Sequence, residues 1–338
     1  MKHVSLKDIA KTAGVSPSTV SLILNGKAKE MRISEALSKK ITLLAGKSGY
    51  TPNHLAVSLR KGETKIIGLV VESISGNFFS SVAKIIEERA NACGYKIIYC
   101  STGNNEKKGH ELLQMLSEQQ VDGYIITPAP GMQKDIKELL QMRKPVVLLD
   151  SYFPGIDTPY VLTNNFSSVA KGIEYLLDKG YKKIGFVTVD LDLIQMKERK
   201  KAYLQMLTSH KIKADKKLIL DLQYDESKEN AIQKITSFIR NNKELDAIFF
   251  ATNYLGVIGL ESIKSLNLKI PDNIAVLCFD DHDVFRLYPP GITIIQQPVE
   301  AIAETAIGLL MSQLTKTEEG PNGKHVQHTA SLVLRNSA

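Results

Sequence analysis

The chain has 338 residues, 43% of them apolar and 23% charged, with 3 cysteines and a formal charge of +7. That is enough apolar material for a sizeable core, and it excludes collagen-like, coiled-coil, disulfide-scaffold and fully disordered chains. No apolar run approaches the ~18 residues of a membrane-spanning helix, so no membrane partner is expected. The opening Met1-Lys2-His3-Val4-Ser5 is charged where an export signal would carry its apolar segment, which points to the cytoplasm. Cys93, Cys100 and Cys278 sit in apolar surroundings without CxxC spacing and read as reduced core thiols.

The positive charge is concentrated at one end. Residues 1–62 hold eleven Lys or Arg against three acids, while the remaining 276 hold 32 basic against 33 acidic groups. A basic head on a neutral body suits a polyanion, because neutralising phosphates and releasing their counterions is the main sequence-independent source of nucleic-acid affinity. A solvated basic face reads equally well on charge alone.

Within that head, Ser5 followed by Asp8 predicts a helix start, with Leu6, Ile9, Ala10 and Ala13 at helical spacing and Gly14 as the stop. Ser16-Pro17 predicts a second start, with Val20, Ile23 and Leu24 as its buried stripe. A third segment from Ser34, with Leu37, Ile41 and Leu44 inward, braces the pair. Two short helices around a glycine turn make a helix-turn-helix, whose second helix lies in the major groove of double-stranded DNA.

The run from Leu6 to Ser21 (LKDIAKTAGVSPSTVS), with Asn25-Gly26-Lys27 and Gly49-Tyr50-Thr51-Pro52-Asn53, resembles the lactose and galactose repressor (LacI/GalR) family of bacterial transcription regulators. The resemblance implies that Pro17, Ser18 and Ser21 face bases, and that Ser16, Thr19 and Asn25 hold phosphate or shape the turn. Ser5 joins the same DNA-contacting set. Leu22 stands where many members carry an arginine; leucine cannot form that residue's bidentate pair with guanine but can pack on a thymine methyl. Extra residues around Ala28 to Arg32 lengthen the loop beside the backbone. Ser16 and Ser18 are equally readable as helix caps alone.

Residues 51–62 resemble the family's hinge helix. It is too short to be stable alone in water, so it is expected to fold only when paired with its twofold mate on DNA. Asn53, His54 and Ala56 belong to that contact, and Leu59 is the wedge that would kink a base step. An ordinary linker is the alternative.

From Lys65, β-rich runs at Ile66–Val71, Ile97–Cys100, Gly123–Ile126, Pro145–Leu149, Ile184–Val189, Ala247–Phe250 and Ala275–Phe279 alternate with helical stretches. That rhythm predicts a doubly wound α/β body. The motif Gly94-Tyr95-Lys96 recurs in kind as Gly180-Tyr181-Lys182, which suggests two lobes facing across a cleft. The body is similar to the family's type I periplasmic-binding-protein-like domain. On that pattern, residues 1–50 form the DNA-binding domain and 63–338 the effector domain, with lobe 1 near 63–163 and 292–323 and lobe 2 near 164–291 and 324–338.

The resemblance implies four effector-binding residues. Phe78 would stack on the ligand, Arg199 would be a bidentate donor, and Asn253 and Asp280 would bind a polyol. Three of them have a plainer reading: core packing for Phe78, a surface ion pair for Arg199 and a cap for Asp280. Gln297 is expected behind the first layer. No GxGxxG, GxxxxGK[ST], GxSxG or HExxH occurs, so neither a cofactor, a metal nor a catalytic residue is expected.

The function implied is that of a sequence-specific regulator, a repressor in the family pattern. It would act as a homodimer on a pseudopalindromic operator, under a small-molecule effector that is a sugar or sugar derivative. A purine is the alternative ligand, and a sugar-handling enzyme or uptake protein with the same body is the alternative class.

Overall fold

The computed structural model describes residues 4–50, 62–316 and 324–338. The chain divides into two compact units, Met1–Thr64 and Lys65–Ala338. The proposed hinge residues Asn53, His54, Ala56 and Leu59 lie outside the described residues.

Among the described residues of the first unit three helices form as their caps dictate: α1 (Leu6–Ala13), α2 (Pro17–Leu24) and α3 (Glu35–Lys47). Ser5 and Asp8 make the reciprocal capping box, and Gly14 closes α1 in the left-handed conformation at φ 73°, which a Cβ would strain. Ser16 and Ser34 accept the N–H of Thr19 and Leu37 at the starts of α2 and α3. Ile9, Ala10, Val20, Ile23, Ile41 and Ala45 pack as one small core. Leu24, Leu37 and Leu44 are only half-buried at its edge, because three short helices cannot enclose every apolar position.

The second unit contains two six-stranded sheets. Lobe 1 is built on β1 (Ile66–Val71), β2 (Lys96–Ser101), β3 (Gly123–Ile126), β4 (Val146–Leu149) and β5 (Tyr160–Thr163). Lobe 2 is built on β6 (Ile184–Val189), β7 (Ile219–Leu222), β8 (Ala247–Phe250), β9 (Ala275–Phe279) and β10 (Thr293–Gln296). Two late strands, β11 (His325–His328) and β12 (Ser331–Val333), complete them. The orders are β11-β5-β4-β3-β1-β2 and β12-β10-β9-β8-β6-β7, the same topology twice. All neighbours are parallel except β10 and β12. Strands buried on both faces read as continuous apolar runs, as in Val146-Val147-Leu148-Leu149.

Two expected lobe boundaries are corrected. Residues 293–296 belong to lobe 2, because this apolar run pairs with β9 (Ile294 opposite Cys278) before Gln297-Pro298 lets the chain leave. Residues 325–328 belong to lobe 1, pairing with β5 (Val326 opposite Val161), before the chain passes to β12. The crossings therefore follow Thr163, Gln296 and His328, each only one or two residues long. The helix Val299–Thr315 does pack on lobe 1, its Ile302, Ala303 and Ala306 buried in one cluster with Ile67 and Leu69.

Cys93 is also corrected: it caps a helix end at the surface, whereas Cys100 and Cys278 are buried as expected. Among the described residues no helix is long and apolar enough to cross a membrane.

Helix Asn253–Ser265 sits directly on the sheet through Gly256 and Gly259; a Cβ at Gly259 would lie 2.1 Å from the ring of the fully buried Phe250. Gly259→Ala is expected to lower body stability by about 2 kcal/mol through overpacking, read as a shift of the urea midpoint. An unchanged midpoint would show that the ring has room to move.

Candidate functional site

The head and the body each carry a candidate site. In the head, the N-terminus of α2 is exposed at Ser16, Pro17 and Ser18 and half-buried at Thr19, Ser21 and Leu22. Three hydroxyls cluster there: Ser16 Oγ lies 2.7 Å from Ser18 Oγ and 2.8 Å from Thr19 Oγ1, and it accepts the Thr19 N–H at 3.1 Å. Hydroxyls and free backbone N–H groups at a helix start form a ready site for a phosphate oxygen.

Ser5 Oγ is engaged in its own cap, donating to Asp8 at 2.6 Å. Asn25 closes the other end of α2, its Nδ2 donating to the Ser21 carbonyl at 2.6 Å, so it shapes the turn. The extra residues beyond it fold into a tight turn, Ile33 N–H to the Ala28 carbonyl at 2.9 Å, that presents Lys27, Lys29 and Arg32 to solvent. Ser16→Ala removes one cap and is expected to destabilise the head by about 1 kcal/mol in thermal melts.

In the body, a cavity of about 350 Å³ lies between the lobes. All four effector candidates, Phe78, Arg199, Asn253 and Asp280, line it. Arg199 is not a surface ion pair: it is 2% exposed, its Nε donates to Asn165 at 2.8 Å and its Nη1 to the Ala251 carbonyl at 2.7 Å. Its guanidinium lies over Phe279, with Cζ 3.5 Å from the ring centre. Asp280 accepts from Gln297 at 2.7 Å, and Gln297 in turn accepts from Thr163 on the far lobe. Phe78 is half-buried, edge-on to Phe79 at 5.0 Å, so it serves the core and the cleft together. Asn253 opens its helix and reaches the Asp281 carbonyl at 3.5 Å.

The sequence reading missed several further lining residues, Glu72, Asp150, Gln195 and Tyr224 among them. Asp150 follows β4 as Asp280 follows β9. Both adopt the left-handed backbone, at φ 64° and 69°, that Asp tolerates better than most residues. Their N–H groups bond to Val161 and Ile295, on the equivalent next strands. Aligning the two lobes on their sheet order would have paired Leu149-Asp150 with Phe279-Asp280. Asp150 spans the lobes, accepting from Gln195 at 3.2 Å. Glu72 ends β1 and faces Tyr224, which follows β7 on the other lobe.

The electrostatics follow from crowding acids into a poorly hydrated space. Burial pushes Glu72 up to about 7, with Tyr224 and Arg199 offsetting and Asp150 adding to the rise. Burial pushes Asp150 up to about 6 despite Arg199. Asp280 is raised by burial, and Arg199 again limits the rise.

A carboxyl whose folded pKa is raised adds stability while protonated and loses it as pH climbs through that value. The unliganded body should therefore weaken between about pH 4 and 7, from the ordinary carboxylate values up to the raised ones, and Glu72→Gln should flatten the profile and raise stability at pH 8 by on the order of 2 kcal/mol. Thermal melts against pH measure this; a parallel profile in the variant would refute it.

Comparison with known proteins covers both units. A family described as bacterial regulatory proteins, lacI family, matches residues 5–53, and a periplasmic binding protein-like domain matches residues 173–338. The transcriptional regulator KdgR of Bacillus subtilis is 30% identical over 341 residues, covering 99% of this chain and 98% of that protein. The ribose operon repressor of Haemophilus influenzae is 28% identical, covering 98% of each. A structure of the lac repressor dimer bound to operator and the anti-inducer ONPF is 21% identical, with a TM-score of 0.83 over 99% of both chains, and has the same fold. A capped helix-turn-helix and a two-lobed cleft, in one chain matched along its whole length, place this protein in the LacI family of DNA-binding bacterial transcription regulators.

Proposed function

We propose that the chain is a cytoplasmic repressor, not an enzyme, acting as a symmetric homodimer on a pseudopalindromic operator. In this reading a sugar or sugar derivative held between the lobes sets its operator affinity. A twofold protein requires a twofold site, with one head for each half. Ser5, Ser16, Pro17, Ser18, Thr19, Ser21, Leu22 and Asn25 supply the contacts from the described head. Asn53, His54, Ala56 and Leu59 complete them on the family resemblance.

One observation carries the ligand reading: the Arg199 guanidinium, held on Phe279, shares a cavity with Asp280, Asn253 and Asp150. Planar donors and acceptors in one layer suit neighbouring hydroxyls, which need several directional bonds at once. Phe78 supplies an apolar ring for the sugar's C–H face. The ligand favours one lobe arrangement, and by linkage the operator shifts ligand affinity by the same factor.

Gel shifts on genomic fragments selected by the full chain test the DNA side. Affinity should fall on the order of a thousandfold between 50 and 200 mM salt, and disappear when residues 1–62 are removed. Binding that survives that removal would overturn the reading. On the ligand side, addition of the cognate sugar should change the shift, and Arg199→Ala should abolish that response.

A further inference from the structure

We infer that the effector carries an ammonium group as well as hydroxyls, an amino sugar, with Glu72 and Asp150 as its counter-ions. The inference rests on the cleft being the effector site and adds the ligand's charge.

Among the described residues the cavity wall brings together three carboxylates, Glu72, Asp150 and Asp280, against one cation, Arg199, with neither Lys nor His lining it. The guanidinium is held in place by Asn165 and the Ala251 carbonyl and backed by Phe279, with N–H groups left for ligand hydroxyls. Its near-full burial beside Asp280 matches one negative charge, which leaves two acids over.

Those two come from lobe 1, at the ends of β1 and β4, and both face lobe 2 across the gap. The groups around them are few. Glu72 meets Tyr224, Asn104, Tyr254, Asp150 and Arg199; Asp150 meets Gln195, Arg199 and Asp280. None supplies a second positive charge. Carboxylates crowded into the cleft without a partner cation are unfavourable and hold their protons to higher pH, which is the direction of their raised pKa values.

An independent feature points the same way. Gln195, 2% exposed on the cavity wall, spends its amide N–H on Asp150 and leaves Oε1 with no hydrogen-bond partner. A buried carbonyl left in this way calls for a donor. Two surplus acids from lobe 1 and one unsatisfied acceptor from lobe 2, lining one cavity, match an ammonium, which has three N–H donors and no acceptor. A neutral hydroxyl would satisfy the carbonyl but not the charge, and a sugar acid or phosphate would add to the imbalance.

Calorimetric titration of the full chain tests this with four sets of probes. These are glucosamine, galactosamine and mannosamine; the parent hexoses with ribose; the N-acetyl derivatives; and gluconate with glucose 6-phosphate. The expected result is an amino sugar binding at least about tenfold tighter than its parent and its N-acetyl form. That preference should widen as pH rises from 5 to 7 and the carboxylates ionise. Glu72→Gln and, separately, Asp150→Asn should reduce it to about twofold or less; thermal melts confirm that each variant is folded.

A parent sugar or an anionic sugar binding as tightly as the amine would overturn the ammonium assignment while leaving the sugar-responsive reading in place. A preference that persists in both folded variants would overturn the roles of Glu72 and Asp150. Binding by no sugar of any charge, or by adenine or hypoxanthine instead, would overturn the sugar reading and this inference with it.

Discussion

A guanidinium cannot shed its proton inside a protein, so burying Arg199 commits everything around it. The charge has to be matched where it lies, and the backbone carbonyl of Ala251, the amide of Asn165 and the face of Phe279 match only part of it. Asp280 supplies the nearby negative charge, and it can do so because the chain turns through a left-handed residue at the end of β9. Gln297 then ties Asp280 to Thr163, so the charge balance at Arg199 reaches the segments that join the lobes. A ligand that disturbs this balance acts on the joints as well as on the cavity.

The head was legible because its determinants are local. A capping serine, an acid three residues on, a proline at the first helical position and a glycine stop act within one turn, and the structure places each as expected. The buried parallel strands were legible as well, since runs such as Ala247-Ile248-Phe249-Phe250 are apolar on both faces. The edges were not. Lysine-rich flanks and a half-exposed pattern mask β7, and β10 to β12 are assigned by which neighbour each finds, a choice that no single run encodes. The recurrent glycine-tyrosine-lysine motif precedes β2 in one lobe and β6 in the other. Those strands are not equivalent in the sheet orders, so the motif records a common way of ending a helix and not the duplication itself.

The cleft shows the same limit. Phe78, Arg199, Asn253 and Asp280 came from resemblance, and the cavity holds all four. Glu72, Asp150, Gln195 and Tyr224 carry no local signature. They are separated by dozens of residues and meet only because strand ends of both sheets converge on one gap.

The three crossings have a mechanical consequence. Three tethers of one or two residues, side by side, resist sliding and pulling apart far more than they resist bending. Relative movement of the halves is thereby reduced to nearly a single angular coordinate, and a molecule of modest size gripping both walls fixes that angle. A small contact energy can in this way be converted into a large displacement at the far rim, much as a short lever arm moves a long one.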